Sequence, residues 1–207
     1  ASDQPGVNAS CLGCISEQRC GSGINASHER IAFIPTPEEI EECAVPHLET
    51  AQRPVASFGQ GCEGEPLLVG DVLEEAIRRI RRKTSRNIIN LNTNASMPAV
   101  VERLCKAGLD SIRVSLSSAR KRLYTRYYRP ANYSFEDVVE TLSIVRRYGK
   151  WSSINYFIFP GLTDHPQEIV ALDRLIRKTR IDMIQTRNLN MDPQWYASEM
   201  EVRDEAS

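Results

Sequence analysis

Residues 87–118 read NIINLNTNASMPAVVERLCKAGLDSIRVSLSS. The first nine are rich in strand formers. The next thirteen then place Val100, Val101, Leu104 and Cys105 on one helical stripe, with Gly108 where such a helix would be capped. SIRVSLSS returns to strand composition. Strand, helix and strand in succession describe a βαβ unit, whose crossover is right-handed and whose two strands lie parallel.

The same alternation extends in both directions. Upstream, Thr36, Pro37 and Glu39 make a capping box ahead of a helix that Pro46 is expected to bend or end, and Val55 to Phe58 form a short apolar run before a glycine cluster. Between them and the central unit, Val72, Leu73, Ala76, Ile77 and Ile80 share one helix face, and Arg78, Arg79, Arg81, Arg82 and Lys83 share the other. Interspersed Glu74 and Glu75 make that basic side a solvated face rather than a nucleic-acid surface. Downstream, FEDVVETLSIVRRYG, WSSINYFIFPG, HPQEIVALDRLIRKTR and IDMIQTRNLN repeat helix and strand, and His165 before Pro166 reads as a helix start. Strand centres fall near residues 57, 90, 114, 156 and 184, an interval of roughly thirty residues that implies a parallel α/β sheet, open or closed into a barrel.

Composition agrees with one folded domain spanning residues 1–207: 41% hydrophobic, 26% charged and a formal charge of -1. The near-neutral total gives no general attraction to nucleic acid or anionic lipid. No apolar run reaches a membrane span and no leader is visible in the first thirty residues, so the expected location is the cytoplasm, with six reduced cysteines and no disulfide framework. The chain opens on Ala1 and ends in RDEAS, which suggests a processed or partial chain.

In parallel α/β sheets, ligands gather at the carboxyl ends of the strands. Gly61 to Pro66, Asn92 and Asn94, Ser115 and Ser117, Pro160 and Gly161, and Arg187, Asn188 and Asn190 all stand at or just beyond such ends. Each alone is ordinary turn chemistry; five together point to one polar site. Just upstream, Cys11 and Cys14 share a Cys-x-x-Cys loop, the spacing of two thiolates facing one metal.

In this order, NASCLGC (8–14), GCEGEPLL (61–68), NLNTNAS (90–96), RVSLSS (113–118) and NYFIFPGLTD (155–164) resemble the motifs of the radical S-adenosylmethionine superfamily, with the likeness running from Asn8 to about Tyr196. The resemblance implies an α/β fold, a partial (β/α)6 barrel of parallel strands. Its first unit would be truncated or degenerate, because the strand expected before the cysteine loop is hard to find in ASDQPG. It further implies a [4Fe-4S] cluster held by three cysteines and S-adenosylmethionine on the fourth iron, with reductive cleavage to a 5′-deoxyadenosyl radical that abstracts hydrogen from a substrate. An electron donor such as flavodoxin or ferredoxin would then be a partner. Carried across by position, Gly64, Glu65 and Pro66 would meet the methionyl amino group, and Asn94, Ser115 and Ser117 would lie near the ribose or methionyl carboxylate. Arg126 would face that carboxylate, and Asn155 and Arg187 would line the adenosine or substrate side.

The chain departs from the motif at its first cysteine, where Val7 stands. Valine cannot ligate iron. Cys11 and Cys14 remain as ligands, with Cys62, beside the glycine-glutamate segment, as the better substitute third ligand and Cys20 as the other. Cys43 and Cys105 lie on apolar helical stripes and read as core; the three histidines show no ligand spacing. Two other readings stand beside the radical enzyme. One is a relative impaired by Val7 that serves as a binding or partner module; the other is a thiol redox or zinc pair, which lacks the second ligand pair zinc needs.

Overall fold

The computed structural model describes residues 6–14, 31–60 and 64–201. They form α1 (Pro37–Thr50), β1 (Val55–Phe58), a 3-10 turn (Pro66–Val69), α2 (Gly70–Lys83), β2 (Ile88–Thr93), α3 (Pro98–Ala107), β3 (Ser111–Leu116), α4 (Lys121–Tyr128), α5 (Phe135–Arg147), β4 (Trp151–Ile158), α6 (Pro166–Thr179), β5 (Met183–Asn188) and α7 (Pro193–Met200). The five strands make one sheet in the order β1-β2-β3-β4-β5, every pair parallel. This is the α/β architecture expected of a partial barrel. Among the described residues upstream of α1 there is no strand, only an antiparallel bridge between Ala9 and Pro130.

Side-chain alternation gives the sheet two unlike faces. On the outer face Ile89, Leu91, Ile112, Val114, Leu116 and Ile154 are fully buried against the helices, where Leu73, Ile77, Ile80, Val101, Leu104, Leu142 and Val145 meet them. At about 1.5–3 kcal/mol per buried aliphatic side chain, this layer is the main source of stability. The inner face carries polar Ser57, Asn90, Asn92, Ser111, Arg113, Ser115, Ser153, Asn155 and Gln185, together with apolar Val55, Ile88, Trp151, Phe157 and Met183.

An aspartate pins the register at two places. Asp110, one residue before β3, accepts the Ile89 N–H at 2.8 Å and an ion-pair hydrogen bond from Arg81, whose Nε also donates to the Gly108 carbonyl at 3.0 Å. Asp182, one residue before β5, accepts the Ser152 N–H at 2.8 Å. Each carboxylate thus captures an N–H at the start of the neighbouring strand, so a slip of one residue would forfeit a charge-assisted bond as well as invert the faces.

The Thr36–Glu39 capping box forms as expected, and His165 caps α6 by accepting the Gln167 N–H at Nδ1. Pro46 does not end α1, which continues to Thr50. The carbonyl that Pro46 leaves without a donor belongs to exposed Glu42, where water can serve it, while fully buried Leu48 anchors the last turn. Cys43, expected in the core, is exposed on α1, whereas Cys105 is buried as anticipated. The basic face of α2, expected to be solvated, is paired: Arg78 with Glu74, Arg79 with Glu38, Glu41 and Glu75, and Arg82 with Glu75. The helices α4 and α7 were not foreseen.

Candidate functional site

The cysteine loop is held against α4 and the turn after it. Leu12 N–H donates to the Tyr127 carbonyl at 3.0 Å, Ser10 N–H to the Arg129 carbonyl at 3.4 Å, and Ala131 N–H to the Asn8 carbonyl at 2.9 Å. Within the loop, Cys14 N–H reaches the Cys11 carbonyl at 3.3 Å, which closes a tight turn around Gly13. A Cβ on Gly13 would stand 2.6 Å from the Tyr127 hydroxyl and 3.3 Å from Asn190 Oδ1, so glycine is required by close approach. Asn190, predicted at the end of the fifth strand, does arrive beside the loop.

A polar network joins this loop to the ends of β1 and β2. Asn94 Nδ2 donates to Asn8 Oδ1 at 2.7 Å, Asn8 Nδ2 donates to Ser96 Oγ at 2.8 Å, and Ser96 N–H returns to Asn94 Oδ1 at 3.0 Å. Glu65 N–H donates to the Gly6 carbonyl at 3.0 Å. The Glu65 carboxylate accepts from Leu67 N–H at 3.1 Å, from Asn94 N–H at 2.9 Å and from the Thr93 hydroxyl. Gly64 turns the chain with φ +81°, and buried Pro66 starts the 3-10 turn that Glu65 caps. Burial pushes the Glu65 carboxyl up to about 7, against the pull of its three donors. Burial, followed by the nearby Cys14, pushes the Cys11 thiol up to about 12, and Glu65 adds to that rise.

Beneath the loop lies an aromatic layer. Tyr124 and Tyr128 stack at 4.5 Å between ring centroids, Tyr127 meets Tyr128 at 4.8 Å and Phe157 at 5.6 Å, and Tyr196 of α7 meets Phe159 at 4.9 Å. These rings keep water from one side of the loop. Sequence reading passed over them because α4 was not recognised as a helix; the YTRYY run within it was the available signal.

Of the residues expected at the site, Gly64, Glu65, Pro66 and Asn94 gather with Cys11 and Cys14 around the network above. Ser115 and Asn155 lie side by side in register, with Gln185 next to Asn155, on the inner sheet face. Ser117 is fully buried with its hydroxyl unpartnered. Arg187 is exposed near the end of β5. Arg126 must be corrected: its Nε donates to the Glu199 carbonyl and its Nη1 pairs with Glu201 at 2.5 Å, so its charge faces α7 and not the strand ends. Cys62, Cys20 and His28 lie outside the described residues. Sequence reading did not single out Asn8, Thr93 or Glu168, whose side chains tie these segments together. Buried Glu168 accepts from Ser118 Oγ at 2.6 Å, Ala119 N–H at 2.6 Å, Arg120 Nε at 2.8 Å and Tyr156 Oη at 2.8 Å, which fixes the turn after β3 beside Ser117.

The fold is thus a parallel α/β sheet with a cysteine loop tied to the ends of β1 and β2. The model of the Radical SAM superfamily matches residues 4–172, and the chain belongs to that superfamily. No curated protein matches by sequence. Among solved structures, anSMEcpe with bound AdoMet aligns with a TM-score of 0.64 at 16% identity, over 93% of this chain and 50% of that one. SuiB of Streptococcus suis, bound to the precursor peptide SuiA, gives 0.60 at 17%, over 90% and 38%. TYW1 with a lysine-pyruvate adduct gives 0.60 at 14%, over 97% and 71%. At these identities they share its fold, and the chain spans half or less of the first two.

Superfamily membership brings a [4Fe-4S] cluster and S-adenosylmethionine as cofactors. The residues fit the two unequally. For S-adenosylmethionine, Glu65 keeps about one of a carboxylate's four acceptor positions open, and the inner face holds unpartnered polar atoms. For the cluster, the described residues supply Cys11 and Cys14, while Val7 stands 40% exposed at the remaining place of the motif. Among them no group of three metal-binding side chains converges.

Proposed function

We propose that this chain is the S-adenosylmethionine-cleaving core of a radical enzyme acting on a substrate held against the inner sheet face. The observation that carries the reading is the buried network in which Asn8, next to Val7 and three residues before Cys11, is hydrogen-bonded to Asn94 and Ser96 while Asn94 N–H also meets Glu65. That network sets the cysteine loop and the amino-group acceptor in one fixed relation, as a shared ligand demands. When bound, the cluster supplies the electron that breaks a carbon–sulfur bond of S-adenosylmethionine. The chain's own residues orient and shield: Glu65 receives the methionyl ammonium, the α4 tyrosines exclude water, and Ser117 offers a hydroxyl to the nucleoside.

Anaerobic reconstitution with iron and sulfide tests the reading. The expected result is about four irons per chain and, with reductant, 5′-deoxyadenosine; a Cys11→Ala variant should lose both. Cys62→Ala with an unchanged iron count removes that residue as third ligand. A colourless protein that makes no product overturns catalysis by this chain. If Val7→Cys then restores both, the second reading holds: a relative that keeps the barrel as a binding module. Val7 itself is the observation favouring that alternative. A flavodoxin- or ferredoxin-like donor in the cytoplasm belongs to the first reading only.

A further inference from the structure

We propose that Arg113, Asn155 and Gln185 form a substrate subsite on the inner sheet face, and that it takes a carboxylate carried next to an amide N–H, the chemistry of an acylated amino acid or a peptide C-terminus. It rests on the reading above only in placing the substrate on this face. Arg113 alternates with fully buried Ile112 and Val114, so it lies on the face away from the helices, in register with Ser153. One step toward the strand ends, Asn155 lies between Ser115 and Gln185. Rows on one face are about 6.6 Å apart along a strand, within the reach of an arginine side chain.

The three side chains share an unusual state. Arg113 Nε, Asn155 Oδ1 and Gln185 Oε1 are sealed from solvent and have no hydrogen-bond partner, and among the described residues Arg113 makes no ion pair. Leaving one buried polar atom unpaired costs about 1–3 kcal/mol, so three on adjacent strands are a standing demand for a ligand. The inner-face groups toward β1 do not share it: Asn90 and Asn92 bond Ser57, and Ser111 bonds Asn90. None of the five strands contains an acidic residue, while Arg113 and Arg187 are both cationic. Among the described residues no acidic side chain pairs with Arg113, and in this subsite a ligand takes that place. A guanidinium fork matches a planar carboxylate, and two amide oxygens side by side call for an N–H donor.

The test uses N-acetylglycine as probe and N-acetylglycinamide, of the same shape without charge, as control. Titration of the full chain is followed by NMR of the side-chain amides, with Asn155 and Gln185 assigned through Ala variants. The expected result is saturable movement of both amide pairs with the acid, binding at least tenfold weaker with the neutral control, and a similar loss in Arg113→Gln. Arg113→Lys, which keeps charge but not the fork, should fall between them and serves if Arg113→Gln does not fold. Equal binding of acid and amide, still amide signals, or full affinity in Arg113→Lys would each overturn the proposal. None of these readouts needs a cluster, so failure here leaves the 5′-deoxyadenosine experiment untouched, and the reverse also holds.

Discussion

Glu65 sits where two demands conflict, since burial favours the neutral acid and three donors favour the anion. With burial ahead, the folded carboxyl holds its proton up to about 7, whereas the unfolded one releases it near 4.5. The folded state therefore binds more protons between those values, and stability falls by about 3 kcal/mol as pH rises through that window. Urea unfolding at pH 5 and pH 8 should show this decline in the wild type and a flatter profile in Glu65→Gln. A cationic ligand reverses the balance, so S-adenosylmethionine should bind more tightly above pH 7 than at pH 5.5, as calorimetry would reveal. Gly13 makes a second prediction at this scale. Gly13→Ala should destabilise the protein by about 1–3 kcal/mol, and adding Tyr127→Phe, which removes the atom the new methyl strikes, should recover part of the loss in a double-mutant cycle.

Among the elements, the turn between β3 and α4 depends on Glu168, reached from three directions. Glu168→Gln replaces an anion by a donor-bearing amide in front of four donors and leaves Arg120 uncompensated. We expect a loss of about 3–5 kcal/mol, and about 1.5–3 kcal/mol for Tyr156→Phe, which removes one donor to the charge; thermal unfolding measures both. The helices α1, α2, α3, α5 and α6 were legible from their apolar stripes, backed by caps in α1, α3 and α6, and the strands because glycine, asparagine and serine punctuate them. Pro46 does not end its helix because its penalty depends on whether the orphaned carbonyl is wet, which is a tertiary fact. Helix α4 escaped because KRLYTRYY has little apolar periodicity until its tyrosines are counted as core. Motif order singled out Glu65 and Asn94, which the fold brings into one hydrogen-bonded network, whereas Arg113, a lone charge in an alternating strand, was passed over. Arg126 was misplaced because spacing does not say which face of a helix meets the barrel.

For the molecule as a whole, the sheet is unevenly protected. The strands β2, β3 and β4 are paired on both sides, while β1 and β5 each have one described neighbour, and β5 is exposed at nearly every position. Hydrogen exchange should therefore run slowest in β3 and fastest in β5, by orders of magnitude. The attachment of α7 has a further consequence. Arg122 and Arg126 both pair with Glu201, exposed, and Arg129 pairs with Glu199, part-buried, so three arginines around α4 add ion pairs to the buried Tyr196 and Met200 that anchor α7. Such pairs contribute about 0–1 kcal/mol each and fade as the screening length drops to about 3 Å in molar salt. Tyr196 rides on that helix and props the ring layer under Cys11. Brine should thus loosen the chain's far end and, through one tyrosine, unsettle the thiols near its beginning.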